Sequence, residues 1–387
     1  MCPARGTTTR KPKPSVLRGS ALPPGPLPLH MRVKQDLARQ IEDGTLRPGD
    51  LIPSERELCV WYGVSSITVR RALSDLAAEG CVMRQVGVGT FVTSPRRRTR
   101  LGLVIFGFVE DDWHRNRDIH GDLIGGIASA SWEHAAVFSL IRAPLNTTVA
   151  PLLESLISEK LFDGFILRTA GDFHRHDVMP LLRARLPFVL VKRRLEDTSV
   201  NAVVVDEFQG GYRATKFLVD SGHRDIAFIG PTNLSVASQR YQGYLHALEE
   251  SGLAVNPALV RVIPAFLQRD AYGATRELLA HHRPSAIFAC GDVLAEGVYQ
   301  ACAEAHLTIP GDISVVGHDD YSAATRLRPP LTTMHFSYYE LGVKSADLLL
   351  DVLRNRDHEP PPRYVVITPT LVVRESTAPP AKASPGS

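Results

Sequence analysis

In the stretch SSITVRRALSDLAAEG, Ser66, Ile67, Arg70 and Arg71 fall on one side of a helical pattern. Val69, Ala72, Leu73 and Leu76 repeat with helical period on the other and make its buried face. The side chains left outside suit the edges of a nucleic-acid duplex. Arginine's rigid fork matches guanine O6 and N7 or a phosphate, and isoleucine can touch a thymine methyl. Just upstream, LIPSERELCVWYG holds a second short helix, with Ser54 and Glu57 at capping-box spacing. Only Gly63, Val64 and a serine pair separate the two helices. Helices joined this tightly form a helix-turn-helix, in which the second element enters a major groove. CVMRQVGVGTFV then reads as two strands turning around Gly87 and Gly89, a wing whose bare backbone can approach a groove or a phosphate. A helical domain that merely carries surface arginines has the same periodicity, so periodicity alone leaves both readings open.

A second set of chemical groups lies further on. Apolar, β-branched runs end repeatedly in polar residues: LGLVIFGF before Glu110 to Trp113, FDGFILR at Arg168-Thr169 and PFVLVK at Lys192-Arg193. SAIFAC leads to Gly291-Asp292, and ISVVG to His318-Asp319-Asp320. Ligands of parallel sheets bind outside the C-terminal strand ends, so several such groups on one edge imply a polar pocket. An Asp after a strand is also an ordinary N-cap for the next helix. Two other constellations suggest other chemistry. The adjacent carboxylates Asp206-Glu207 and Asp319-Asp320 invite comparison with glycoside hydrolysis, but neighbours in sequence seldom face one substrate. His174/His176 and His281/His282 lack a supporting Cys or carboxylate pattern and read as surface histidines, not metal ligands.

These groups need elements to position them. With AVFSLI, NAVVVD and DIAFIG, the apolar runs number about eight and alternate with helical patterns such as FQGGYRATKFLVDSG, which argues for parallel α/β architecture in two similar lobes or one large one. The expected fold class is therefore α/β. An N-terminal winged helix-turn-helix precedes a body of parallel sheets. The expected organisation is a disordered basic tail over 1–28, a winged helix over 29–93, a linker over 94–100, a body over 101–375 and a disordered tail over 376–387. In the winged helix, Val33, Leu37 and Ile41 form one apolar stripe of a first helix that Gly44 ends.

Charge agrees with this division. Residues 1–28 carry five Lys/Arg and no acids, residues 29–100 carry 12 Lys/Arg and eight Asp/Glu, and the rest carries 27 and 33. A basic front on an acidic body suits a polyanionic partner. The five cysteines are scattered, without a C-x-x-C, as expected of reduced cytosolic thiols. No apolar run approaches a membrane span, and the N-terminus lacks the apolar core of a secretory signal, so a cytoplasmic protein without a membrane partner is expected.

The string GTLRPGDLIPSERELCVWYGVSSITVRRALSDLAAEGCVMRQVGVGTFV closely resembles the winged-helix domain of GntR-type bacterial regulators. P-S-E-R-E-L, G-V-S, T-V-R-x-A-L, L-x-x-E-G and G-x-G-T-F-V stand in family order and spacing. The resemblance implies DNA contacts from Arg56, Ser65, Ser66, Thr68, Arg70 and Gly87, beside Ile67 and Arg71 from the helical face. The family commonly has arginine where this chain has Ser66, so its operator differs. Further on, LPFVLVKRR, GHRDIAFIGP, SQRYQGYLHAL, AIFACGDVLAEGV and IPGDISVVGHDD look like successive motifs of the LacI/GalR-type effector domain, which has the two-lobed periplasmic-binding-protein fold. The resemblance implies ligand contacts from Arg240, Asp319, Lys192 or Arg193, with Trp113 as an aromatic wall; Asp292, among the polar strand ends, is expected to bind the ligand too. Two departures stand out. Gly291 replaces a usual asparagine, and Lys192 stands where aspartate is usual, which points to an unusual ligand bearing an acidic group.

Together these features look like the arabinose-repressor branch of the GntR class. They imply a homodimeric repressor of double-stranded DNA, controlled by a small effector, a sugar or sugar derivative, with no cofactor, no metal and no catalysis. A transport-type binding protein and a carbohydrate-active enzyme are the alternatives; sugar turnover separates the second from a sensor.

Overall fold

The computed structural model describes residues 27–93, 98–107, 117–143, 147–195, 198–356 and 361–380. Trp113 and most of the tail expected over 1–28 lie outside the described residues. The chain divides into two units, Met1–Arg98 and Thr99–Ser387.

In the first unit the apolar stripes fold onto one another. Helix α1 (Leu29–Glu42) buries Val33, Leu37 and Ile41. A two-residue strand, β1 (Leu51–Ile52), leads to α2 (Glu55–Tyr62). The capping box forms as expected: the Ser54 hydroxyl accepts from the Glu57 N–H, and the Glu57 carboxylate from the Ser54 N–H. Gly63, at φ +64°, ends α2 in the left-handed conformation that glycine adopts without steric cost. Ser65 caps α3 (Ser66–Ala78) through the Thr68 N–H, and Val69, Ala72, Leu73 and Leu76 turn inward. The hairpin β2 (Val82–Gln85) and β3 (Gly89–Val92) gains β1 as a third antiparallel strand, in the order β1-β3-β2. Two residues are too few to show a period, and β1 was not foreseen.

The second unit resolves the choice between one sheet and two lobes. Its strands are β4 (Arg100–Phe106), β5 (Val137–Arg142), β6 (Gly164–Thr169), β7 (Phe188–Val191), β8 (Ala202–Val205), β9 (Ile226–Gly230), β10 (Val260–Val262), β11 (Ala286–Ala289), β12 (Ser314–Asp319), β13 (Thr332–His335), β14 (Tyr364–Ile367) and β15 (Thr370–Val372). Its helices are α4 (Arg117–Glu133), α5 (Val149–Ser158), α6 (Arg175–Arg183), α7 (Glu207–Asp220), α8 (Ser235–Glu250), α9 (Gln268–His281), α10 (Asp292–Glu304), α11 (Ser322–Arg326) and α12 (Tyr338–Arg354). One sheet is all parallel in the order β14-β8-β7-β6-β4-β5. The other runs β10-β9-β11-β12-β13-β15, with only β15 antiparallel. The central strands are buried on both faces, which accounts for their unbroken apolar sequences. The chain passes between the lobes three times, after β8, after β13 and between β14 and β15. Pro369 interrupts the last pair, so what reads as one Pro-broken strand serves both sheets.

Two expected boundaries move. Arg100, assigned to the linker, opens β4 because it pairs with Val137 and donates its N–H to Asp163. Residues 376–378, expected in the C-terminal tail, pack onto the body, and 381–387 lie outside the described residues. Ser376 is fully buried and bonds Val315 and Thr332, while the Ala378 carbonyl accepts from His223 and Ser314. No helix among the described residues is long and apolar enough to cross a membrane.

Candidate functional sites

On the first unit, Arg56, Ser65, Ser66, Ile67, Arg70 and Arg71 are exposed, and Thr68 is half-buried. Ile67 is 76 % exposed although apolar. Gly87, at φ +77°, makes the turn of the wing between the exposed Val86 and Val88. Ser65 and Thr68 also serve locally, since their hydroxyls lie 2.9 Å apart at the start of α3. One feature escaped the sequence. The Glu55 carboxylate accepts from Arg70 at 3.2 Å and from Arg84, on β2, at 3.2 Å.

On the second unit a cleft lies between the C-terminal strand ends of the two lobes. Arg240, on α8, is 1 % exposed and reaches its floor. Its Nη2 and Nη1 donate to the two Asp319 oxygens at 2.8 and 3.3 Å. Its Nε donates to Glu207 at 2.7 Å, and Nη1 also to the Cys290 carbonyl at 2.6 Å. Lys192 enters from the other lobe, off the end of β7. Its ammonium is 3.4 Å from Asp319, 3.5 Å from Glu207 and 3.2 Å from the Tyr338 hydroxyl, and stands 4.3 Å above the Phe336 ring. Two cations thus face two carboxylates in a buried site. Burial alone would push both acids up, but Arg240 and then Lys192 outweigh it. They hold Glu207 at about 2 and Asp319 well below the usual carboxylate range. His318 is fully buried beside both acids; burial and then Arg240 lower its pKa. Lys192, Asp319 and Asp320 all have positive φ, at 60°, 106° and 54°. Such backbone strain clusters where function needs side chains aimed.

A cavity of 130 Å³ opens onto Arg240, Asp319 and Lys192, walled also by Arg168, Phe266, Val293, Tyr321 and Tyr338 among others. The expected residues fare differently here. Arg240, Asp319 and Lys192 come together. Arg193 lines the cavity, but its guanidinium is committed to the carbonyls of Ala170, Gly171 and Lys192 and to Asp172. It shapes the loop after β6. Asp292 does not reach the cavity wall. It is fully buried and accepts from the Tyr321 N–H at 2.8 Å and the Thr333 hydroxyl at 2.6 Å. Burial, then Asp319, raises its pKa well above the ordinary range. A Cβ at Gly291 would sit 3.2 Å from the Phe266 ring, so a side chain there needs that ring to give by a few tenths of an ångström. Phe266, Tyr321, Tyr338 and Glu207 were missed as site residues; only Glu207 carried a signal, as half of an acidic pair.

The remaining constellations are structural. Asp206 caps α7 through the Gln209 N–H, and Asp320 holds Arg374 and His335. His174 begins α6, with the Asp177 carboxylate accepting its N–H. Among the described residues no three His, Cys, Asp or Glu side chains gather as for a metal.

Residues 29–92 match the model of bacterial regulatory proteins of the gntR family, and residues 215–377 that of the periplasmic binding protein-like domain. The arabinose metabolism transcriptional repressor of Geobacillus stearothermophilus is 27 % identical over 91 % of this chain and 98 % of its own. The ribose operon repressor of Haemophilus influenzae is 34 % identical over 62 % of this chain and 72 % of its own. The HTH-type transcriptional repressor PurR of Histophilus somni is 35 % identical over 57 % of this chain, and the match spans 66 % of that relative. Among solved structures, a transcriptional regulator CelR–cellobiose complex superimposes with a TM-score of 0.64 at 25 % identity, covering 84 % of this chain and all of that one.

Proposed function

The chain belongs to the bacterial transcriptional regulators that join a gntR-family winged helix to a LacI-type effector domain, and we propose that it is a repressor whose hold on its operator is set by a sugar-type effector bound between the lobes. The observation that carries this is the Arg240–Asp319 fork at the floor of the cleft, under the rings of Phe266, Tyr321 and Tyr338. A fixed guanidinium–carboxylate pair presents donors and an acceptor to a hydroxylated ligand, and the rings cover its apolar face. Lys192 approaches from the opposite lobe, so a ligand there contacts both lobes and favours one closure angle.

The working form is a homodimer. Two winged helices on one face of a duplex read half-sites about one helical turn apart, or a multiple. A closure that changes the spacing of the readers couples effector and DNA reciprocally, typically by about 1–3 kcal/mol. The test is a thermal-shift screen of sugars and sugar acids. Any hit is then added to the complex of the purified chain with the DNA upstream of its own gene. Release or tightening of that complex by the hit is the expected outcome. No preference for any duplex over random competitor, with or without the hits, overturns the reading.

A further inference from the structure

Glu55 joins two arginines from different elements of the first unit. Its Oε2 accepts from Arg70 Nε and Nη2, at 3.4 and 3.2 Å, and its Oε1 from Arg84 Nη2 at 3.2 Å. Arg70 stands on the helix that faces the groove in the proposed reading. Arg84 stands on β2, one strand of the wing, where it pairs across to Thr90. The arginine side chains are 62 % and 67 % exposed, and the glutamate between them only 27 %. A surface ion pair this exposed adds about 0–1 kcal/mol to stability at most. Its consequence is geometric, because each arginine loses a large rotamer entropy when it is held by a partner.

The carboxylate does not use up the two guanidiniums. Arg70 commits two nitrogens to it and Arg84 one, while each guanidinium has five N–H donors. Two positive charges on one negative leave the trio net positive. The acid is also its least exposed member, so the arginines form the outer surface. A lone acid on a DNA-reading face is unfavourable, since it repels phosphate. An acid set back beneath two arginines holds them ready.

We infer that Arg84 is a phosphate contact made from the wing, and that Glu55 is a positioning residue that locks Arg84 and Arg70 into one fixed fork across the duplex. This rests on the reading of the first unit as a DNA reader. The partner is the sugar–phosphate backbone of double-stranded DNA on the flank where α3 enters.

The test uses the full chain and a duplex that the wild-type chain selects from a random-sequence pool. Failure of the wild type to select any duplex defeats the DNA-reading premise itself; the variants test the fork. With Arg84→Ala, binding weakens about equally on selected and random duplexes, and the log–log salt slope becomes shallower by about 0.9. Arg84→Lys keeps the charge, so it keeps the wild-type slope. With Glu55→Ala, the preference for selected over random duplex falls about tenfold, although an acid has been removed from the surface. Glu55→Gln, which retains an acceptor, recovers part of that preference. Melting curves establish that each variant is folded. An unchanged salt slope in Arg84→Ala overturns the phosphate contact. A Glu55→Ala chain that binds the selected duplex more tightly, with selectivity intact, overturns the positioning role.

Discussion

Asp172, in the loop after β6 of one lobe, accepts hydrogen bonds from both the N–H and the hydroxyl of Ser235, the first residue of α8 in the other lobe, at 2.9 and 2.5 Å. The residue ahead of that helix, Leu234, makes no side-chain cap. The helix that carries Arg240 is therefore capped from across the cleft, and Arg193 steadies the cap at 3.1 Å. Opening the lobes would uncap α8, so this contact favours the closed form. Asp172→Ala is expected to cost about 1 kcal/mol, the usual worth of an N-cap, and to lower the melting midpoint by about 2–4 °C. In a double-mutant cycle with Ser235→Ala, strictly additive losses would show that the two residues do not act together.

Lys192 makes the second bridge between the lobes. Its ammonium lies within 3.5 Å of both Glu207 and Asp319, which are buried with it. Breaking a buried pair from one side leaves an uncompensated charge, at a cost of about 3–5 kcal/mol. Lys192→Met is therefore expected to destabilise the body strongly. Adding Glu207→Gln removes the stranded negative charge and recovers a large part of the loss. Urea unfolding of the single and double variants measures this; a double variant no more stable than Lys192→Met argues against the charge quartet.

The bridges were out of reach of the sequence for a plain reason. Lys192 and Asp319 are 127 residues apart, and nothing local in either strand end names the other. Local chemistry was far more legible. The Ser54–Glu57 box, the inward stripe of α3 and the eight apolar strands each declare themselves within a few residues. Lys192 in place of an aspartate suggested an acidic ligand, yet the structure gives that ammonium two acids of the protein itself. Gly291 looked like a lost ligand contact; that the Phe266 ring crowds its Cβ position is visible only in the fold. β1, β10 and β13 carry no apolar run of their own and are defined by pairing, so they were passed over, while β7 and β11, no longer than β13, stand in apolar runs and were read.

The acids of the cleft should appear in the pH dependence of stability, with opposite signs. Glu207 and Asp319 have folded pKa values below their unfolded ones, so their contribution is fully present above about pH 4.5. It is lost as pH falls, through about 2 for Glu207 and through a value well below the usual carboxylate range for Asp319. Asp292 is the reverse. Its folded pKa is raised, first by burial, so ionising it costs stability as pH rises above its unfolded value of about 3.9. Asp292→Asn is therefore expected to be more stable than wild type at neutral pH. The advantage should shrink as pH falls and level off below about 3.9, where the wild-type carboxyl becomes protonated in the unfolded state as well. Denaturant midpoints at several pH values test this. A variant equally destabilised at every pH would mean that the bonds from Tyr321 and Thr333 need the carboxylate itself.

The two units should also fail separately. Arg70 is exposed on α3 and belongs to no part of the cleft, so Arg70→Ala is expected to weaken selected-duplex binding by about 1–3 kcal/mol and leave effector affinity unchanged. Asp319 is the acceptor that Arg240 and Lys192 share. Asp319→Asn keeps its size and one acceptor oxygen but removes its charge. That variant should bind the duplex as the wild type does in the absence of effector, and no longer respond when effector is added. Fluorescence anisotropy with labelled duplex, titrated with the sugar found by thermal shift, reads both. If Asp319→Asn responds with wild-type sensitivity, the effector is not held at the Arg240–Asp319 fork, and the cleft assignment falls while the DNA reader stands.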